Sequence, residues 1–132
     1  ATNSLGYRLI TKSIERTADH ATTIADNILL LKEEVNGELA DKIDRMSNLA
    51  IGMFESSIDA MFRKDFDRAE KIIEELDQIV ELEKEAVLSS KTVDIEETAN
   101  LRLIIESVRR TAEYAADVAE VVLNMNIESI LG

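Results

Sequence analysis

The chain has no cysteine, no proline and no tryptophan, and only four of its 132 residues are glycine. Without cysteine there is no disulfide, no thiolate nucleophile and no Cys-ligated zinc. Without proline, and with so few glycines, long helices run with few breaks. Aromatic residues make up 4 % of the chain, and a composition dominated by Ala, Ile, Leu and Glu packs helices against helices. No polar–apolar alternation persists beyond a few residues, which argues against strands. No signal peptide opens the chain and no apolar run approaches the length of about 18 residues that a membrane span needs, so a soluble, cytoplasmic protein is expected.

Basic residues are outnumbered: 15 Lys and Arg against 27 Asp and Glu, a net charge of −12. Such a surface repels nucleic-acid phosphate and anionic lipid, and suits cations and basic protein surfaces. The length is that of one domain with a real core.

The chain is organised around Ser13-Ile-Glu-Arg-Thr-Ala-Asp-His-Ala-Thr-Thr-Ile-Ala-Asp26. Apolar or small residues recur around it at Tyr7, Ile10, Ile14, Thr17, Ala21, Ile24, Ile28, Leu31 and Val35, in steps of three and four. That spacing makes one buried helical stripe. Glu15 and Asp19 lie off the stripe. One turn apart, they differ by roughly 40° around the axis and project from one outward face. A shift of 94 residues sets 7–30 against 101–124, and ten of those 24 pairs are identical, among them Arg16/Arg110, Thr17/Thr111, Ala18/Ala112 and Ala21/Ala115. Shared helical composition does not give so many, so this is an internal repeat.

Four helices follow from the pattern. The first is capped at Asn3 or Ser4 and stops at Asn36-Gly37. The second runs from about Glu38 to Arg63 with Leu39, Ile43, Met46, Ala50, Met53, Ser57 and Ala60 as its seam. Lys64-Asp65 is a tight connection with Asp65 as N-cap. The third runs from about Phe66 to Leu88, burying Phe66, Ala69, Ile73, Leu76, Val80 and Val87, with Ile72, Ile79 and Ala86 at its flank. A loop over 89–94 ends in an Asp94/Glu97 capping box. The fourth runs to about Asn126 on a seam of Leu101, Ile104, Val108, Thr111, Ala115, Val118, Val122 and Met125, leaving 127–132 as a tail. Short connections make the fold an all-α, antiparallel four-helix bundle. Ile14, Ala21, Ile24, Val108, Ala115 and Val118 should lie inside it. Small residues near the midpoints of the first and last helices (Ala18, Ala21, Ala25; Ala112, Ala115, Ala119) should let those two approach closely.

Two adjacent carboxylates such as Glu15 and Asp19 can share a hard or borderline cation. Alternatively, Lys12 and Arg16 neutralise them on a solvated face. His20, the only histidine, sits at the edge of the stripe opposite its repeat partner Tyr114 in the alignment, and reads as a packed, half-exposed side chain or as a ligand beside Asp19. Carboxylate bundles that activate oxygen need a Glu-x-x-His motif on each of two helices; here Thr17 stands three residues before His20. No phosphate loop, nucleophile elbow or triad can be assembled, so no enzyme is expected.

The stretch Glu15-Arg-Thr-Ala-Asp-His-Ala-Thr-Thr-Ile-Ala-Asp26 closely resembles the closing-helix motif of the PhoU family of phosphate-uptake regulators. Arg110-Thr-Ala-Glu-Tyr-Ala-Ala-Asp-Val-Ala-Glu120 looks like its second copy. The resemblance implies two three-helix repeats, each ending in Glu/Asp-x-x-x-Asp, whose carboxylates bind iron or zinc. It implies that 1–37 is the closing helix of a first repeat and 38–132 a complete second one, within one helical domain, so that the chain resembles a C-terminal part of such a protein. It puts a metal role on Glu15 and Asp19. The second motif departs, with Arg109 and Glu113 at the two acid positions, and a guanidinium repels a metal. Arg109 should instead pair with a carboxylate of the first helix or of a partner. The implied function is a non-enzymatic adaptor acting on a transporter or signalling protein; the alternative is a structural or dimerisation module of a transporter, channel or transcription regulator. A first helix short of two neighbours would leave Leu5, Leu9 and Leu29 partly exposed and favour a homo-oligomer.

Overall fold

A computed structural model describes residues 6, 8–12, 14–17, 19, 20, 23, 37–89 and 95–131 of the chain. Every described residue between 6 and 23 is helical, and this stretch is α1. It is followed by α2, Gly37–Arg63, α3, Phe66–Ser89, and α4, Ile95–Leu131. Among the described residues there is no strand.

The α2–α3 connection shows how local chemistry reverses the chain. Lys64 takes a left-handed φ of 53°. This lets the Lys64 amide donate to the Met61 carbonyl (3.4 Å) and the Asp65 amide to the Ala60 carbonyl (2.9 Å). The pair of bonds closes the end of α2 as a Schellman motif. Asp65 then caps α3, its Oδ1 accepting from the Arg68 amide at 3.1 Å, which satisfies one of the orphan donors of the first turn. Asp65 is thus the expected N-cap.

Helices α1 and α4 run antiparallel, as do α2 and α3, which Lys42–Ser89 and Ser56–Arg68 join at opposite ends. Against α4, Gly6 of α1 meets Val121, and further along α1 the His20 ring meets Tyr114; one number rises as the other falls. Each of α2, α3 and α4 packs on the other two, and α1 lies on α4. The expected all-α antiparallel bundle is therefore the fold. Its centre is α4, which explains why burial there exceeds a single stripe: Leu101, Ile104, Ile105, Val108, Ala112, Ala115, Val118, Ala119 and Val122 are all at most 2 % exposed. Alanines on this helix keep its neighbours close. The expected seam of α2 is also buried at Leu39, Met46, Ala50, Met53, Ser57 and Ala60. Buried hydroxyls turn back onto their own helix, Ser57 to the Phe54 carbonyl and Thr111 to the Ser107 carbonyl, so they need no partner across the core.

Three expectations are corrected. Ile14 is 46 % exposed rather than buried; its repeat equivalent Val108 is covered because α2 and α3 both pack on α4. Val80 is 39 % exposed, while Ile72, Ile79 and Ala86 form the core side of α3. The apolar doublets Ile72-Ile73, Ile79-Val80 and Ala86-Val87 offer two stripes about 100° apart, and packing between α2 and α4 selects the first of each. Finally, α4 continues to Leu131, because no glycine or proline interrupts Ile127-Glu-Ser-Ile-Leu. The caps at Asn3 or Ser4, the stop at Asn36, the 90–94 loop with its Asp94 cap, and Leu5, Ala18, Ala21, Ile24, Ala25 and Leu29 lie outside the described residues.

Candidate functional site

Glu15 and Asp19, the acid pair of α1, are both exposed. The Asp19 carbonyl accepts a bond from the Thr23 hydroxyl one turn later (3.1 Å). Among the described residues, no group of three His, Asp or Glu converges on a point where a metal ion would sit. The pair supplies two oxygen ligands on one helix face, fewer than a hard cation takes, so any ion held there needs ligands from elsewhere.

The next face of α1, about 100° around the axis, forms an aromatic clasp on α4. The His20 ring lies 5.7 Å from that of Tyr114, inclined by 30°, and the Arg16 guanidinium sits 5.5 Å above the same ring. Arg16 is thus drawn to a ring face, a favourable place for a cation. Burial pushes the His20 pKa below 6.5; the charge of Arg110 adds to this, while Asp19 and Glu106 oppose it. His20 is the packed, half-exposed side chain that its place on the stripe implied. Under the 94-residue shift Arg16 maps to Arg110 and His20 to Tyr114. The His20–Tyr114 contact therefore joins repeat equivalents, as an approximate two-fold relation between α1 and α4 requires.

Beside the clasp, Leu9, Lys12, Arg16, Asp117, Glu120, Val121 and Asn124 line a groove of about 330 Å³. The Asp117 pKa is raised, by burial first and then by Glu120 and Glu113, with Arg16 acting against them.

Arg109, the residue that breaks the second acidic motif, bridges helices. Its Nε lies 2.8 Å from Glu83 Oε2 on α3, and its Nη1 donates to Glu113 Oε1 at 3.1 Å. Both atoms of the shorter contact are buried, and the Nε–H is not aimed at the oxygen. The attraction there is one of charge rather than a directed hydrogen bond. The expected partner on α1 is thus replaced by Glu83 of α3. Burial raises the Glu83 pKa above 4.5, Arg109 pulls it back, and Glu113 and Glu106 push it further up. Glu83 follows Leu76 and Ile79 by seven and four residues, so an acid on the seam edge was the sequence signal for a buried cation opposite.

These helices, with exposed acids outside and an alanine-rich interface within, define a helical-bundle domain offering broad side faces. Its match is the PhoU domain, over residues 43–122, which runs from the first turns of α2 almost to the end of the core-forming part of α4. The chain belongs to the PhoU domain family, a regulatory family. No curated protein and no solved structure matches it. Among the described residues, no helix is long and apolar enough to cross a membrane.

Proposed function

We propose that this chain is a non-enzymatic regulatory or adaptor domain that controls phosphate uptake or its signalling through contacts with a transporter or signalling protein. The observation that carries the reading is the PhoU domain over 43–122. In this reading 1–37 is the closing helix of a first repeat and 38–132 a second repeat. The approximate two-fold relation of α1 and α4 supports that division, because the equivalent residues His20 and Tyr114 face each other.

The same reading gives Glu15 and Asp19 a surface iron or zinc site, completed by acidic groups from another helix or chain. Their exposure on one face supports it. Metal analysis after purification without chelator should find more iron or zinc in the parent than in Glu15→Gln/Asp19→Asn; equal contents would reject the site. The half-exposed Leu9 and Ile14 support association of α1 with further helices, in a homo-oligomer for instance, and sedimentation at micromolar concentration should show more than a monomer. Those residues also favour a second reading, a purely structural or dimerisation module. Deletion in the source organism under high and low phosphate separates the two. Unchanged phosphate uptake and unchanged expression of uptake genes would leave only the structural module.

A further inference from the structure

The outer surface between α2 and α3 carries a groove that the core does not explain. Arg45 of α2 and Asp77, Gln78, Glu81 and Leu82 of α3 line a space of about 380 Å³. Its walls are mostly apolar, formed by Leu82 and the stems of the long side chains. The groove is held at both ends. Lys42 donates to Ser89 at 2.8 Å at one end, and Arg68 pairs with Asp59 at 3.3 Å at the other.

Gly52 lies two turns along α2 from Arg45, on the same face. It is exposed, and a Cβ built on it would meet nothing within 4 Å. A glycine inside a helix weakens it and is ordinarily explained by a close neighbour or a special backbone angle. Here neither applies: Gly6 has Val121 at 3.1 Å from its Cβ position, whereas Gly52 faces open space and has no positive φ. Asn48, one turn earlier, is exposed, and Ser56, one turn later, accepts from the Arg68 guanidinium at 3.5 Å.

The α3 rim of the groove has one sign. Asp67, Glu70, Glu74, Asp77, Glu81 and Glu85 are all exposed and fall within a sector of roughly 80° around the helix axis. Gln78 and Leu82 sit at the edge of that sector toward α2. Among the described residues, Glu81 alone of the six forms an ion pair, with Lys84 at 3.3 Å, and Arg45 stands across the groove on α2.

We propose that the α2–α3 groove, with the open Gly52 face beside it on α2 and the α3 carboxylates along its rim, docks a basic amphipathic helix of a protein partner. The apolar walls at Leu82 and the side-chain stems take the apolar face of such a helix, the missing side chain at Gly52 admits close approach, and the carboxylate rim meets its lysines or arginines. A second copy of this chain is the wrong occupant, because a net charge of −12 sets like charge against the rim. The inference rests on the adaptor reading above and names the chemistry of the partner.

The test uses the whole chain and a synthetic helix of roughly 18 residues, about 27 Å long, with leucine on one face and lysine on the other. The same peptide with glutamate for every lysine is the control. Fluorescence anisotropy at low salt should show binding of the lysine peptide and none of the glutamate peptide. Gly52→Leu puts a bulky side chain into the open space beside the groove, and should weaken binding by about tenfold or more, as loss of a central contact does. Asp77→Lys/Glu81→Lys should do the same. Glu120→Lys/Glu128→Lys makes an equal charge change on α4 and should leave affinity within about twofold, since distant surface charge acts weakly. Amide shift changes should concentrate at 45–56 and 74–82. Parent-like binding by Gly52→Leu, equal weakening by the α4 pair, or shift changes spread over α4 would overturn the groove. Full phosphate regulation restored by Gly52→Leu in a deletion strain would also overturn it while sparing the adaptor reading. A deletion with no phosphate phenotype would remove that reading instead.

Discussion

Replacing Arg109 by methionine keeps much of the side-chain volume and removes its charge. The consequence follows from the two carboxylates it leaves behind. Glu113 is 44 % exposed and turns to water. Glu83 is 28 % exposed, with Oε2 buried, and loses the cation against it. Breaking a fully buried pair costs about 3–5 kcal/mol, and breaking an exposed one about 0–1 kcal/mol. With Arg109 itself 35 % exposed, the pair lies between these limits, and a loss of about 2 kcal/mol near pH 7 is expected. At roughly 2.1 cal/mol/K per residue over 132 residues, that lowers Tm by about 7 °C. The pH dependence identifies the cause. Glu83 has a raised folded pKa, so the fold holds its proton more tightly than the unfolded chain does. Its ionisation therefore removes stability as pH rises from about 4.5 through the folded value. Without Arg109 that value moves further up, so the deficit of Arg109→Met should be largest at neutral pH and shrink toward pH 4, where Glu83 is protonated in both states. Thermal melts by circular dichroism across that range are the assay. Glu83→Gln/Arg109→Met should recover most of the loss at pH 7. If the double variant is as unstable as Arg109→Met, or if the deficit is flat with pH, lost packing and not a stranded carboxylate is the cause.

Lys64→Gly should raise stability by about 1 kcal/mol in a denaturant titration, because glycine takes the left-handed φ at the end of α2 without steric cost. Gly52→Ala should raise it by about 0.5–1 kcal/mol through helix propensity alone, given the open space at that position. Ile79→Ala removes a side chain with no exposed surface and should cost about 2–5 kcal/mol in the same titration. The Asp65 pKa is held below 3.8, first by the Arg68 amide and then by its guanidinium. Its contribution is present above about 3.8 and lost as pH falls through the lower folded value. An acid melt of Asp65→Asn should accordingly lose less stability over that window than the parent does.

Much of this fold is legible in the sequence because helix periodicity and caps are local. The α2 seam and the Asp65 cap follow from residues a few positions apart, and the structure has them where the spacing puts them. The side of α3 that faces inward is different. Ile73 and Val80 are as apolar as Ile72 and Ile79, and the choice between the stripes belongs to α2 and α4. The buried Arg109–Glu83 pair is non-local in the same way: the departure of Arg109 from an acidic motif called for a counter-charge, yet Glu83 stands 26 residues earlier on another helix. Gly52 shows a further kind of signal, visible as a glycine in a long helix but without meaning until the space in front of it is known.

The repeat carries the same lesson to the level of the site. Identity at a spacing of 94 residues says that α1 and α4 are built alike but not how they meet. In the folded chain they meet antiparallel, with His20 on Tyr114 and Arg16 over that ring. The ring contact joins two residues that hold the same place in the repeat. Likeness in sequence then exposes unlikeness in surroundings. Ile10 and Ile104 are both buried, at 7 % and 1 %, whereas Ile14 is 46 % exposed and Val108 only 1 %. The side chains are nearly equivalent, so the difference is that Val108 lies beneath α2 and α3 and Ile14 does not. An apolar side chain is buried by its neighbours, and the acid pair on the same helix gains further ligands only when such neighbours are present. The helix face at Ile14 and the cation site proposed at Glu15 and Asp19 thus depend on one condition, additional helices beside α1.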